Sequence, residues 1–334
     1  MKQTVLVPTD FETGAVQALE NAGLDVVKVS TLTDQTMLAH ADSLVGAVVH
    51  LEKISEPVFK QLPHLKILAR TGVGYDNVDY KGAAKHGIYV TITLQCNFHT
   101  VTEAILGAML MLSRNTLHRM QLMKDGQWQA GKAVTGYSLF GQTLGIIGYG
   151  RIGQELAKCA HALGMKILYN NGPHHKPSAV GKSVDLEELF TQSDYVSLNV
   201  PVTPATEHLV NQQTLSLMKP SASIINYGRG KLIDTDALVA ALKNGQLRSA
   251  ALDSFDPEPL PMDSPLRQLD NVMLTPHIGG ATIDAMTRAS RDAASEIIRV
   301  AQGKEPQWAV NQPQEWSYAQ NLLSKNDSRG VPTD

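Results

Sequence analysis

Short apolar runs recur along most of the chain, and the stretches between them carry helical spacing. In the first part, residues 5–7, 26–29, 44–49, 66–69 and 89–91 read as strands, while 14–21, 55–62 and 78–85 can supply helices between them. Gly87, just beyond the last of these, is a stop signal. The alternation resumes at about residue 143 and runs to 276, with strand-like pieces at 144–147, 166–169, 195–198, 223–225, 250–252 and 272–274. Repeated strand–helix alternation predicts parallel sheets with ligands at the carboxyl ends of the strands. Between the two blocks, residues 103–112 are almost continuously apolar, which predicts a buried helix capped by Thr100 or Thr102. Such a helix could join domains or pack against another subunit, and its Met109 and Met111 read as core. Residues 282–301 have helical period and could return to the first block, whereas 311–334 read as an extended polar tail.

A chain of 334 residues exceeds one typical core, so two domains are expected. Apolar content of 43% and charged content of 18% describe an ordinary packed protein. A net charge of -3 gives no electrostatic case for nucleic acid or an anionic membrane and points to small solutes. The strand-like start carries no secretory signature, and residues 104–112 are too short to cross a bilayer. Cys96 and Cys159 stand far apart, which fits a reducing cytoplasm and indicates neither a disulfide framework nor a thiolate metal site.

The candidate chemistry falls at the ends of predicted strands. Gly148, Gly150 and Gly153 form GxGxxG between the 144–147 strand and a helical run from Arg151. Glycines so placed let the backbone approach a pyrophosphate at a helix N-terminus, although the same triplet alone can make a tight turn in any glycine-rich α/β protein. An acidic ribose-binding residue is expected about 20 positions beyond the first glycine. Here the next strand ends at Asn170, which can bond a ribose without repelling a 2'-phosphate. His174, His175 and Lys176 could add donors or form a solvated loop, so NAD and NADP both stay open.

In ARTGVGYDNVD, residues 69–79, Asn77 could cap the following helix, and backbone N–H groups near Val73 and Gly74 could hold a carboxylate beside Arg70. A glycine turn with a solvent-facing arginine is the equal alternative. Arg229 follows a strand and has glycine on both sides, where a guanidinium can bind a carboxylate or make a surface ion pair. Asp253, Asp256 and Glu258 follow the next strand, and His277 the one after, with Gly279 and Gly280 allowing close approach of a ligand. A His–Glu pair supplies an acid/base group near neutral pH, because the carboxylate orients the ring and favours its charged form.

Together these stretches resemble the D-isomer-specific 2-hydroxyacid dehydrogenase family, which includes phosphoglycerate dehydrogenases and glyoxylate/hydroxypyruvate reductases. The resemblance rests on ARTGVGYDNVD, GIIGYGRIG at 145–153, LNVPVTPATEHLVN at 198–211, INYGRGKLID at 225–234, LDSFDPEP at 252–259 and LTPHIGG at 274–280. It implies two Rossmann-like α/β domains, with a cofactor-binding domain inserted into a flavodoxin-like substrate domain. The expected divisions are 1–99 for the first part of the substrate domain, 100–283 for the NAD(P) domain with dimerisation elements, and 284–334 for the returning helix and tail.

The resemblance also implies Arg229, Glu258 and His277 as the catalytic set, with no metal required. Gly148, Gly150, Arg151 and Ile152 would hold the pyrophosphate, Asp253 would reach the nicotinamide carboxamide, and Val200, Tyr227 and Gly279 would line the cofactor. The backbone near Val73 and Gly74, with Arg70, would hold the substrate carboxylate, and His50 with Leu51 would act in selectivity. The implied reaction moves hydride between NAD or NADP and C2 of a small 2-oxo or 2-hydroxy acid, in a homodimer. Ile92, Leu94, Thr102, Ser254 and Asn199 depart from residues common at their positions, with valine frequent where Ser254 stands, and these changes weaken assignment to phosphoglycerate. Alternatives of other classes are a nucleotide-sensing corepressor-like interaction protein and a related dehydrogenase acting on formate or phosphite.

Overall fold

The structure, a computed structural model, describes residues 2–173 and 177–313, and the chain divides into two units after Asn97 and after Gly279. The first unit holds residues 2–97 and 280–313. Its strands β1 (Thr4–Pro8), β2 (Asp25–Val29), β3 (Leu44–Val49), β4 (Ile67–Arg70) and β5 (Tyr89–Ile92) form a parallel sheet in the order β2-β1-β3-β4-β5. This is the flavodoxin-like doubly wound order. Successive strand side chains point to opposite faces, so each face needs its own cover. Val5, Val7, Ile67 and Ala69 pack with Leu19, Ile297 and Val300, while Leu6, Val49 and Leu68 pack with Met37, Phe59 and Leu62.

Helix Ile283–Ala301 covers the first of these faces. Thr282 starts it by accepting from the Ala285 N–H, and Ala293, Ile297 and Val300 recur on its buried side. Complete burial of Ile297 alone contributes roughly 1.5–3 kcal/mol. Beyond the helix the chain runs antiparallel to β5. Ile92 N donates to Trp308 O, Val310 N donates to Val90 O, and the Asn311 carboxamide accepts from Val90 N while donating to the Tyr80 and Ile88 carbonyls. Glu296 holds the approach by accepting from the Gln307 and Trp308 N–H groups. The edge of the sheet is thereby covered.

The second unit, residues 98–279, contains β6 (Thr143–Ile147), β7 (Lys166–Asn170), β8 (Lys182–Ser183), β9 (Tyr195–Leu198), β10 (Ser223–Asn226), β11 (Ser249–Leu252) and β12 (Val272–Leu274). All pair in parallel, in the order β12-β11-β10-β9-β6-β7-β8, so the strand order reverses between β6 and β9. Helix Phe98–Ser113 packs on helix Arg151–Ala162 over one face through Ile105, Met109, Leu156 and Ala160. Helices Thr116–Lys124 and Trp128–Ala133 follow, and Leu117, Met120, Met123 and Trp128 remain exposed. Among the described residues no helix is long and apolar enough to cross a membrane.

Two expected caps are corrected. The helix expected over 103–112 begins at Phe98, so Thr100 and Thr102 lie inside it, and Thr102 Oγ1 donates back to Phe98 O. Asn77 does not cap its helix: Asp79 does, accepting from Gly82 N, while Asn77 Nδ2 donates to the carbonyls of His50 and Glu52. His174, His175 and Lys176, and the tail beyond residue 313, lie outside the described residues.

Candidate active site

Because every strand of the second unit runs in the same direction, the residues that follow them gather at one edge of the sheet. Arg229, Glu258 and His277 follow β10, β11 and β12, which are neighbours in the sheet. Gly230 lets two of these segments touch, since a Cβ there would overlap the Phe255 carbonyl group on the path to Glu258. Asn226, completely buried at the end of β10, shapes the Arg229 turn. Its Oδ1 accepts from Gly228 N at 3.1 Å and its Nδ2 donates to Arg229 O at 2.8 Å. Arg229 Nη1 donates to Gly228 O at 3.0 Å, and Ser254 Oγ donates to the same oxygen at 3.0 Å.

Glu258 and His277 are hydrogen-bonded, with His277 Nδ1 at 2.9 Å from Oε2 and 3.2 Å from Oε1. Phe255 N donates to Glu258 Oε1 at 2.8 Å. Burial by itself would raise the Glu258 carboxyl, but the His277 and Phe255 hydrogen bonds and the charges of His277 and Arg229 hold it below the ordinary carboxylate range. An ionised carboxylate therefore faces Nδ1. Nε2 has no protein hydrogen bond among the described residues, which leaves it as the ring atom able to exchange a proton with a ligand.

The His277 backbone is left-handed, with φ 53°, a conformation that costs a non-glycine residue roughly 1–2 kcal/mol. Asp253, 1% exposed, fastens this turn on both sides of His277. Its Oδ1 accepts from Thr275 Oγ1 at 2.6 Å and Ile278 N at 2.8 Å, and its Oδ2 accepts from Gly279 N at 2.7 Å. The family resemblance implies a cofactor carboxamide as the partner of Asp253; its hold on the histidine turn leaves no mark in the sequence, because its partners are mainly backbone groups. Asn226 has one sequence signal, a polar residue closing the apolar run Ile224–Ile225. Tyr227 lies beside Gly279, where a Cβ would stand 2.9 Å from Tyr227 Cδ1, and burial raises the Tyr227 phenol above its usual range.

The glycine loop follows β6 at the strand-order reversal, the usual place for a ligand in an open α/β sheet. Gly148 has φ 94°, and a Cβ there would overlap the Asn199 carbonyl and crowd Val200 Cγ1. A Cβ on Gly153 would overlap Gly148 O, so the helix can start against the loop only with glycine there. Gly150 is the N-cap of helix Arg151–Ala162 and makes no side-chain capping bond, so Arg151 and Ile152 open a first turn without a side-chain cap. This set of backbone donors and small residues fits a dinucleotide pyrophosphate. Asn170 closes β7, with Nδ2 donating to Val184 O and Oδ1 accepting from Gly172 N, so its carboxamide helps order its own loop. Tyr149 stacks on Tyr169 with centroids 3.8 Å apart, and its hydroxyl bonds Ser178 Oγ.

The remaining candidates belong to the first unit. The Val73 and Gly74 N–H groups after β4 make no protein hydrogen bonds among the described residues. Arg70 is buried, and its Nη1 donates to Thr71 O, folded over Gly72. His50 bonds Thr71 Oγ1 through Nδ1, and its Nε2 lies 3.7 Å from Asp10 Oδ1.

Residues 106–279 match the NAD-binding domain of the D-isomer specific 2-hydroxyacid dehydrogenases. The chain is 38% identical over 316 residues to a D-3-phosphoglycerate dehydrogenase of Methanocaldococcus jannaschii, covering 92% of this chain and 59% of that protein. It is 39% identical over 279 residues to a glyoxylate reductase of Thermococcus litoralis, covering 81% of this chain and 83% of the other. Among solved structures it is similar to an acyclic imino acid reductase in complex with NADPH and D-Arg, at 27% identity and a TM-score of 0.84, covering 93% of this chain and all of that one.

Proposed function

The chain belongs to the D-isomer specific 2-hydroxyacid dehydrogenase family, and from that premise we propose that it transfers hydride between a nicotinamide dinucleotide and C2 of a small 2-oxo or 2-hydroxy acid, mainly as a reductase. The observation that carries this is the 2.9 Å contact of His277 Nδ1 with Glu258, on the strand ends beside Arg229. The bound reduced nicotinamide would supply the hydride. Arg229 binds the substrate carboxylate with paired donors and polarises the neighbouring carbonyl. Charged His277 donates its Nε2 proton to the oxygen on C2, while Glu258 keeps the ring oriented. Asp253 fixes the turn from which His277 acts.

Gly148, Gly150, Arg151 and Ile152 are the proposed pyrophosphate site, with Asn170 toward the adenosine ribose. Val200, Tyr227, Asp253 and Gly279 are proposed for the nicotinamide end. The N–H groups of Val73 and Gly74, with Arg70, are proposed for the substrate carboxylate, and His50 for selectivity. The exposed Leu117, Met120, Met123 and Trp128 support a homodimer through the second unit, checked by sedimentation equilibrium.

The deciding experiment is a matrix of NADH and NADPH against glyoxylate, hydroxypyruvate and other small 2-oxo acids, followed by chiral analysis of the product. Oxidation of either cofactor with formation of a D-2-hydroxy acid, or of glycolate from glyoxylate, is the expected result. Failure to turn over any member of the panel with either cofactor would overturn the proposal.

A further inference from the structure

We infer that Ser254 is a positioning residue for Arg229: its hydroxyl keeps the Gly228 carbonyl partnered when the guanidinium leaves that carbonyl for a substrate carboxylate. The inference rests on the proposed reductase chemistry of Arg229. Ser254 is 3% exposed, directly after Asp253 beyond β11, and reaches across to the turn that follows β10. Its Oγ and Arg229 Nη1 each stand 3.0 Å from Gly228 O, so both lone pairs of that oxygen are engaged. The backbone around this oxygen is fixed by Asn226, which accepts from Gly228 N and donates to Arg229 O. The guanidinium is the member of this group that substrate binding asks to move.

A carbonyl stripped of its donor loses a hydrogen bond, and that loss opposes the movement. With a hydroxyl at residue 254 the oxygen keeps one donor throughout, so the Gly228 carbonyl adds little to the cost of Arg229 changing partners. With valine in its place, the guanidinium would be the side-chain donor left to Gly228 O and would be held on its own turn. Hydroxyl or methyl at one buried site then sets how readily Arg229 engages a carboxylate. Ser254 does not itself touch the reacting atoms.

The test compares Ser254→Val with Ser254→Thr, which have the same shape and differ in methyl against hydroxyl. In steady-state reduction of glyoxylate, Ser254→Val should raise KM for the oxo acid by about three- to tenfold, with kcat and the KM for the cofactor little changed. Ser254→Thr should keep the oxo-acid KM near that of the wild type. Ser254→Ala, which adds no bulk, gives the same comparison if Val and Thr disturb folding, and should raise KM as Val does. A role confined to packing would move melting temperature and kcat in Val and Thr alike without separating their KM values. Equal oxo-acid KM in the hydroxyl-bearing and hydroxyl-free variants, in an enzyme that turns over, would overturn the assignment and leave the reductase proposal standing. A wild-type protein without turnover would overturn both.

Discussion

Replacing Glu258 with Gln tests the acid/base pair while changing little else. Glutamine preserves the side-chain volume, and its Oε1 can still accept from Phe255 N, so the segment after β11 keeps its anchor. What is lost is the negative charge 2.9 Å from His277 Nδ1. A hydrogen bond to a charged group contributes about 1.5–3 kcal/mol. The His277 and Glu258 side chains are 26% and 32% exposed, so solvent screens part of this and the lower end of the range applies. A loss of about 1.5–2 kcal/mol of transition-state stabilisation lowers kcat/KM by about ten- to thirtyfold. The assay is kcat/KM for an active 2-oxo acid at saturating reduced cofactor, with His277→Ala measured alongside. A Glu258→Gln enzyme with wild-type kcat/KM would refute the coupling of the carboxylate to proton donation.

Other perturbations probe other parts of the fold. Burial raises the Glu296 carboxyl above its ordinary range despite the Trp308 and Gln307 N–H groups, so its contribution to stability is full at low pH and is lost as pH rises through the folded-state value. Glu296→Gln should flatten that decline in urea titrations across pH, whereas Glu296→Ala, which leaves two N–H groups without their acceptor, should destabilise by about 1–3 kcal/mol at every pH; a Gln variant as pH-dependent as the wild type would exclude this account. Gly230→Ala forces the Arg229 turn away from Phe255, with an expected cost of about 1–3 kcal/mol in chemical denaturation and loss of turnover. Gly148→Ala meets both a left-handed backbone and the Asn199 carbonyl, so fluorescence titration should show nucleotide affinity weakened by at least about tenfold, and unchanged affinity would separate this loop from the nucleotide.

The strands were legible where burial on both faces wrote an unbroken apolar run, as in Leu44–Val49 and Tyr195–Leu198. Strand β8 was not: Lys182–Ser183 is a two-residue exposed edge beside β7, too short to carry an apolar run. Helix Thr116–Lys124 leaves no trace in the pattern either, because it buries no residue and so carries no apolar stripe. The pairing of Glu258 with His277 could be anticipated, since both follow apolar strands. The hold of Asp253 on the His277 turn could not, because two of its three donors are main-chain N–H groups, which every sequence possesses. Asn77 and Asp79 show the same limit at a helix start. Both are good capping residues two positions apart, and the tertiary demand of the His50 and Glu52 carbonyls decides between them.

The two units differ in when they can be finished during synthesis. Residues 98–279 emerge as one uninterrupted segment and can assemble their whole sheet at once. The first sheet must wait for helix Ile283–Ala301 to cover Val5, Val7 and Ile67, and then for residues 308–311 to close the edge along β5. Until then its partly covered face and open edge are surfaces on which nascent chains associate wrongly. Of the two units, the one begun first is completed last, and the interval between is where a growing chain has most need of a chaperone.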